Sequence, residues 1–303
     1  MNAAPMLLGY AAAVGFAAPW LLVRSGWPHR APGLAVAVWH GLSVSFTVAV
    51  ALAAYHLAVP TEHLHAGLIG LLHSCGLTTA TATPSPTTAD RLAIGLPLAV
   101  VLLVLGCFAH EVLRGRRARS RHRNVLDMVG RRAPHLCATI LEHELPAAYC
   151  LPGHNPRIVV SAGALRLLSA KQLEAVLEHE RAHIAGRHHL ALAATQAFSR
   201  IFRRLPLARH AREQTAVLLE MIADDRALRR QPGEVLATAM YEMAAGKAPA
   251  GAFAVGGPSA LIRLRRVLAP PRRPHVALRG SVAAAALTVP VIPLLVGCVP
   301  VIG

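Results

Sequence analysis

A chain of 303 residues has room for one or two domains, and this one is 54% hydrophobic with a mean hydropathy of +0.45, too apolar for an ordinary soluble enzyme. Its formal net charge of +16 comes from 31 basic residues, all arginine except Lys171 and Lys247. No nucleic-acid recognition motif accompanies that charge, so it reads as facing the anionic cytoplasmic leaflet of a lipid bilayer, with no direct nucleic-acid partner. Cys75, Cys107, Cys137, Cys150 and Cys298 have no paired spacing, which excludes a disulfide framework and a cysteine zinc cage.

Residues 4–23 form an apolar run long enough to cross a hydrocarbon layer of about 30 Å as a helix, and Arg24 ends it. No basic residue precedes it, so we expect no cleaved signal peptide and an N-terminus outside the cell. A short basic loop leads to a second span, 33–57, whose His40, beside Ser43 and Ser45, reads as a helix-packing polar group. Residues 58–90 contain Glu62 and Asp90 but no lysine or arginine, the mark of an extracytoplasmic loop. Its His63, His65, His73 and Cys75 have no sharp ligand spacing, and 78–89 is rich in Thr, Ala and Pro. After the third span, 92–113, come Arg114, Arg116, Arg117, Arg119, Arg121 and Arg123, a cluster that places the next segment in the cytoplasm.

Residues 114–273 read as a soluble α+β domain. Three short strands are expected at 137–141, 147–151 and 157–161, the last two joined by a turn containing Pro152 and Gly153. A helical run extends from Ala170 to about residue 204, then helices over 209–230 and 234–245, a Gly/Ala/Pro linker over 247–258, and a basic helix over 260–268 capped by Ser259. The last apolar run, 276–296, is a fourth span, kinked where Pro290 and Pro293 each remove a backbone donor.

The chemistry gathers at His179-Glu180-Arg181-Ala182-His183. On a helix, residues four apart share a face, so both imidazoles reach one metal ion, and the intervening glutamate stands where it can take a proton from the water that a zinc ion activates. Two other His-Glu pairs, His110-Glu111 and His143-Glu144, lack the second histidine. Around 179 the context is helical: Leu173, Val176, Leu177 and Ile184 form an apolar stripe, and Ser169 with Gln172 makes a capping box. Peptide-bond hydrolysis is the implied reaction. A third ligand is needed. Glu220 fits, with Asp224 one turn on to hold a ligand histidine by its other ring nitrogen. His189 also fits the string H-E-x-x-H-x-x-G-x-x-H, which requires the helix to stop at Gly186; residues 190–198 continue a helix-forming run without a breaker, which favours Glu220.

The run 147–153, the strand 157–161, the His179 motif and Glu220-x-x-x-Asp224 together resemble the membrane metallopeptidases typified by the HtpX heat-shock protease. Three spans before the domain and one after it more closely resemble the antirepressor peptidases of the BlaR/MecR β-lactam sensor-transducers. The resemblance implies an α-helical integral membrane protein with four spans and a cytoplasmic α+β zincin-like metallopeptidase domain between spans three and four. Its parts are 1–113 with the loop 58–90, the catalytic domain 114–273, and 274–303. It further implies Zn2+ held by His179, His183 and Glu220, a general base at Glu180, and a supporting carboxylate at Asp224. The strand containing Ala147, Ala148, Tyr149 and Cys150 would offer its edge to an extended protein substrate. The expected function is a regulatory zinc metalloendopeptidase of a bacterial plasma membrane, its substrate a winged-helix transcriptional repressor. Two alternatives stand beside it: HtpX-like quality control of membrane proteins, and a non-catalytic membrane receptor with a structural zinc site, against which the intact Glu180 argues. The chain departs from the β-lactam sensors in carrying no S-x-x-K serine and no extracellular penicillin-binding domain, so antibiotic sensing by this chain itself is not expected.

Overall fold

Three helices in the computed structural model, which describes residues 3–58, 88–246, 257–269 and 275–298, are long and apolar enough to cross a membrane. They are α1 (Ala4–Arg24), α2 (Pro32–Ala58) and the apolar part of α3 (Thr88–Val129). Helix α1 carries a π-turn over Ala13–Ala17, because Pro19 has no N–H to give and the Ala18 N–H reaches back to the Ala13 carbonyl. Residues 59–87 of the expected 58–90 loop, with His63, His65, His73 and Cys75, lie outside the described residues, as does most of the 247–258 linker, and 88–90 belong to α3 rather than to a loop. His40 packs helices together, its Nδ1 2.8 Å from the Val36 carbonyl and its Nε2 3.2 Å from the Ala191 carbonyl.

Helix α3 does not end with its apolar part. It carries the arginine cluster onward as helix and buries Leu126 against a four-stranded sheet, beside Leu151 and Val159. The strands are β1 (Gly130–Ala133), β2 (Ala138–Leu141), β3 (Ala148–Leu151) and β4 (Arg157–Ser161), in the order β1-β2-β4-β3. Only β2 and β4 run parallel, and β3 lies at an edge, antiparallel to β4. Strand β1 was not expected, because Arg131 and Arg132 are both exposed and give no apolar alternation.

After α4 (Ala162–Leu167), the motif lies on α5 (Ala170–Ala185), which covers the other face of the sheet through Leu173, Leu177 and Ile184. Its start is the expected capping box of Ser169 and Gln172. The expected unbroken helix to 204 is instead two helices: α5 stops, Arg187 takes a left-handed conformation at φ 48°, and α6 (His188–Ile201) begins. Gly186 makes the break possible, since a Cβ there would fall 2.4 Å from the His188 ring. Then come α7 (Pro206–Ala227), α8 (Gly233–Ala245) and α9 (Gly257–Leu268).

The largest core joins the apolar helices to this domain: Val14 of α1 and Trp39, Leu42 and Phe46 of α2 pack with Phe198 of α6 and Leu207, Leu218 and Met221 of α7. The final apolar run folds as two short helices, α10 (Val276–Thr288) and α11 (Ile292–Cys298), rather than one continuous span. Pro293 lacks the N–H that would have bonded the Val289 carbonyl, and the hydroxyls of Tyr10 and Ser45 donate to that oxygen at 3.1 and 2.8 Å. The break is thereby stitched to α1 and α2.

Candidate metal centre

Helices α5 and α7 lie against each other, and four of the expected residues meet where they touch. The Nε2 atoms of His179 and His183 are 3.1 Å apart, and the two Glu220 oxygens lie 3.5 Å from the first and 3.4 Å from the second. All three side chains offer ligand atoms within 4.8 Å of one another. Tetrahedral donors bonded to zinc at about 2.0–2.1 Å stand about 3.3–3.4 Å apart, so this triangle has the size that such an ion requires. The donor chemistry agrees with the spacing. His179 Nδ1 lies 3.0 Å from Asp224 Oδ1. With the Nδ1 proton held there, Nε2 is the nitrogen turned toward an ion, able to bind it on giving up its own proton.

Asp224 is 1% exposed, and a buried carboxylate persists only with partners. It accepts from His179 and, at 2.8 Å each, from Nε and Nη2 of Arg263 on α9, whose Nη1 also lies 2.9 Å from Glu220. Burial works against its ionisation, but the Arg263 and His179 hydrogen bonds prevail and hold its pKa down at about 2. Burial likewise opposes charge on His179, yet the Asp224 and Glu220 carboxylates outweigh it and raise its pKa to about 9. Arg263 was not among the expected site residues. Its acidic partners lie in another helix 39 and more positions earlier in the chain, so local pattern marked α9 only as basic.

His183 is oriented by another neighbour, one the sequence offered only as a possible oxyanion donor. Its Nδ1 is 2.8 Å from Nδ1 of His188, and burial keeps His188 neutral with a pKa down at about 4, so that nitrogen can accept the His183 proton. The break at Gly186 is what folds His188 back over the motif. His189 points elsewhere, lining a separate cavity with Arg119 and Arg200. Although the helix does stop at the glycine, His189 does not join the ligand cluster.

Glu180 faces β3, and burial raises its pKa above the usual carboxylate range. The Cys150 thiol and backbone N–H both bond to it, and burial together with the Glu180 charge pushes that thiol up to about 12. The Ser161 N–H donates to the Ala147 carbonyl at 2.8 Å. By antiparallel alternation Tyr149 then turns its amide toward β4, while Ala148 and Cys150 turn theirs to the open edge. Of the four expected substrate-strand residues, Ala148 therefore has its N–H and carbonyl free to pair and Cys150 its carbonyl, the Cys150 N–H being held by Glu180, while Ala147 is bonded to β4 and the Tyr149 hydroxyl is bonded to His122 at 2.7 Å. Behind the motif, buried Glu178 pairs with Arg181 and Arg230 and fastens α5 to the end of α7.

No curated protein and no solved structure matches the chain. A family model does match, over residues 113–244, and it takes in both α5 with His179, Glu180 and His183 and α7 with Glu220 and Asp224, leaving Arg263 beyond its end. Residues 113–244, somewhat under half of the chain, are thus similar to Peptidase family M48.

Proposed function

We propose that this protein is a membrane-embedded zinc metalloendopeptidase that hydrolyses peptide bonds of a cytoplasmic or membrane-associated protein, and that it serves as a regulatory protease acting on a transcriptional repressor. The observation that carries the catalytic reading is the triangle of His179, His183 and Glu220 with buried Glu180 beside it. Bound zinc would supply Lewis acidity to the scissile carbonyl and to the attacking water. His179 and His183, oriented by Asp224 and His188, would hold the ion with Glu220. Glu180 takes the proton from water and returns it to the leaving amine, a role suited to a carboxylate whose pKa burial has raised. Main-chain groups of Ala148 and Cys150 align an extended peptide beside it.

The regulatory reading draws support from the shared core. Helix α7 carries Glu220 on one side and packs on α1 and α2 with Leu207, Leu218 and Met221, so a change in the membrane helices has a physical route to a ligand. The arginines after residue 113 favour a plasma-membrane protein with its catalytic domain in the cytoplasm.

The experiment compares protein N-termini in cells making the native chain and cells making Glu180→Ala. The variant keeps its zinc, and one cytoplasmic terminus disappears with it, naming the substrate. Loss of many membrane-protein fragments would replace the regulatory reading with quality control, and an unchanged set of termini would overturn catalysis.

A further inference from the structure

Two cavities meet along α6. The larger, about 1380 Å³, opens between α3, α6 and α7 and is lined by Arg119, Arg200, Arg203, Arg209 and Arg212 against two glutamates. Arg200 is engaged with Glu111 at 2.9 Å. Among the described residues, Arg119, Arg203 and Arg212 have no carboxylate within 4.0 Å, so the cavity holds positive charge in excess. The smaller, about 310 Å³, lies between α2, α3 and α6, walled by Val101, Leu105, Phe108 and Phe198, and both cavities are bounded by Thr195.

Their order along α3 gives the pair its meaning. The apolar hollow is bounded by residues 101–108 and the basic one by Glu111 and Arg119. At about 1.5 Å per residue, the lining passes from hydrocarbon to guanidinium within a few helical turns, where the apolar part of the helix gives way to arginine. A hollow at acyl-chain depth under a cationic one at headgroup depth has the polarity of an anionic lipid. A free anion would use only the upper half, and a neutral lipid would leave the arginines uncompensated.

We propose that the two neighbouring cavities bind one anionic phospholipid of the bilayer, its phosphate among Arg119, Arg203 and Arg212 and an acyl chain against Val101, Leu105 and Phe108. The inference rests on the placement of α3 in the membrane and is independent of catalysis.

The full chain, purified in detergent and stripped of lipid, is titrated with phosphatidylglycerol or phosphatidylcholine of the same chain length, and bound lipid is counted by native mass spectrometry. One phosphatidylglycerol should bind on the order of a hundredfold more tightly than phosphatidylcholine, three arginines each contributing about fivefold. The combined variant Arg119→Gln, Arg203→Gln, Arg212→Gln should bring the two lipids level, and Ala194→Phe, which fills the apolar hollow, should weaken both. Equal binding of the two lipids by the native chain overturns the proposal, as does a preference that survives the triple variant. Displacement of phosphatidylglycerol by inorganic phosphate at equal concentration overturns its acyl half. Flotation with vesicles separates the causes: a native chain that does not float with phosphatidylcholine vesicles refutes the membrane placement itself, whereas one that floats but binds no lipid preferentially refutes only the site.

Discussion

Arg263 sits where three demands converge: a buried carboxylate needs a counter-charge, a candidate ligand glutamate needs to be aimed, and a candidate ligand histidine needs its proton held. Its guanidinium answers the first two directly and the third through Asp224. Removing it strands Asp224 in a site 1% exposed to water, and breaking a buried pair from one side costs about 3–5 kcal/mol. We therefore expect Arg263→Ala to lower the unfolding midpoint and to speed zinc loss to a chromophoric chelator. Arg263→Lys should recover only part of both, because an ammonium cannot fork across two Asp224 oxygens and reach Glu220 as well. Native zinc retention in Arg263→Ala would show that Asp224 holds His179 without help. His188 acts on the same scale, one proton acceptor fixing which nitrogen His183 turns toward the metal.

Elements bring these residues to the edge strand, and Ser161 is the hinge pin between them. Its hydroxyl accepts from the Ala164 N–H at the start of α4 and from the Ala147 N–H at the start of β3. Ser161→Ala removes both bonds from a residue 2% exposed, and loss of such a cap costs about 1–2 kcal/mol. On the proposed role of β3, which would position a peptide in ground and transition states alike, KM should rise several-fold while kcat holds, measured on a peptide substrate; a fall in kcat with unchanged KM would contradict that binding role. At this scale much was legible. Turn residues at Pro152 and Gly153 announced the β3–β4 pairing, Ser169 and Gln172 announced the start of α5, and the i, i+4 spacing announced that the rings of His179 and His183 share a face. The hidden features have physical causes. Strand β1 pairs through backbone while Arg131 and Arg132 face water, so it carries no pattern. The end of α5 rests on Gly186 and on Arg187 in a left-handed conformation, a choice set by the close approach of His188 rather than by propensity. Arg263 finds its acids through the packing of α9 on α7, a tertiary event with no local signature.

On the scale of the whole molecule, the apolar helices are a wall of the catalytic domain. Phe46 of α2 stacks edge-on to Phe198 of α6 at 6.0 Å and to Phe202 at 5.1 Å, and the core it belongs to holds the buried side of α7 from Leu207 to Met221. Helix α7 thus has its position set from the side of the apolar helices by α2 and from the other by α5, with Glu220 on the α5 side. Emptying the Phe46 site should cost about 3–5 kcal/mol, and the relaxation should be felt where α7 delivers its ligand. Phe46→Ala is therefore expected to lose zinc faster and to cleave more slowly than the native chain, although Phe46 takes no part in the ligand cluster. Leu21→Ala is the control, since Leu21 is 60% exposed on the outer face of α1 and its truncation leaves that core intact. Both variants are assayed in the same bilayer for zinc content and peptide cleavage. If Phe46→Ala matches Leu21→Ala in both, the apolar helices only tether the peptidase-like domain; if it falls below on both, they are part of the device that holds Glu220 in place.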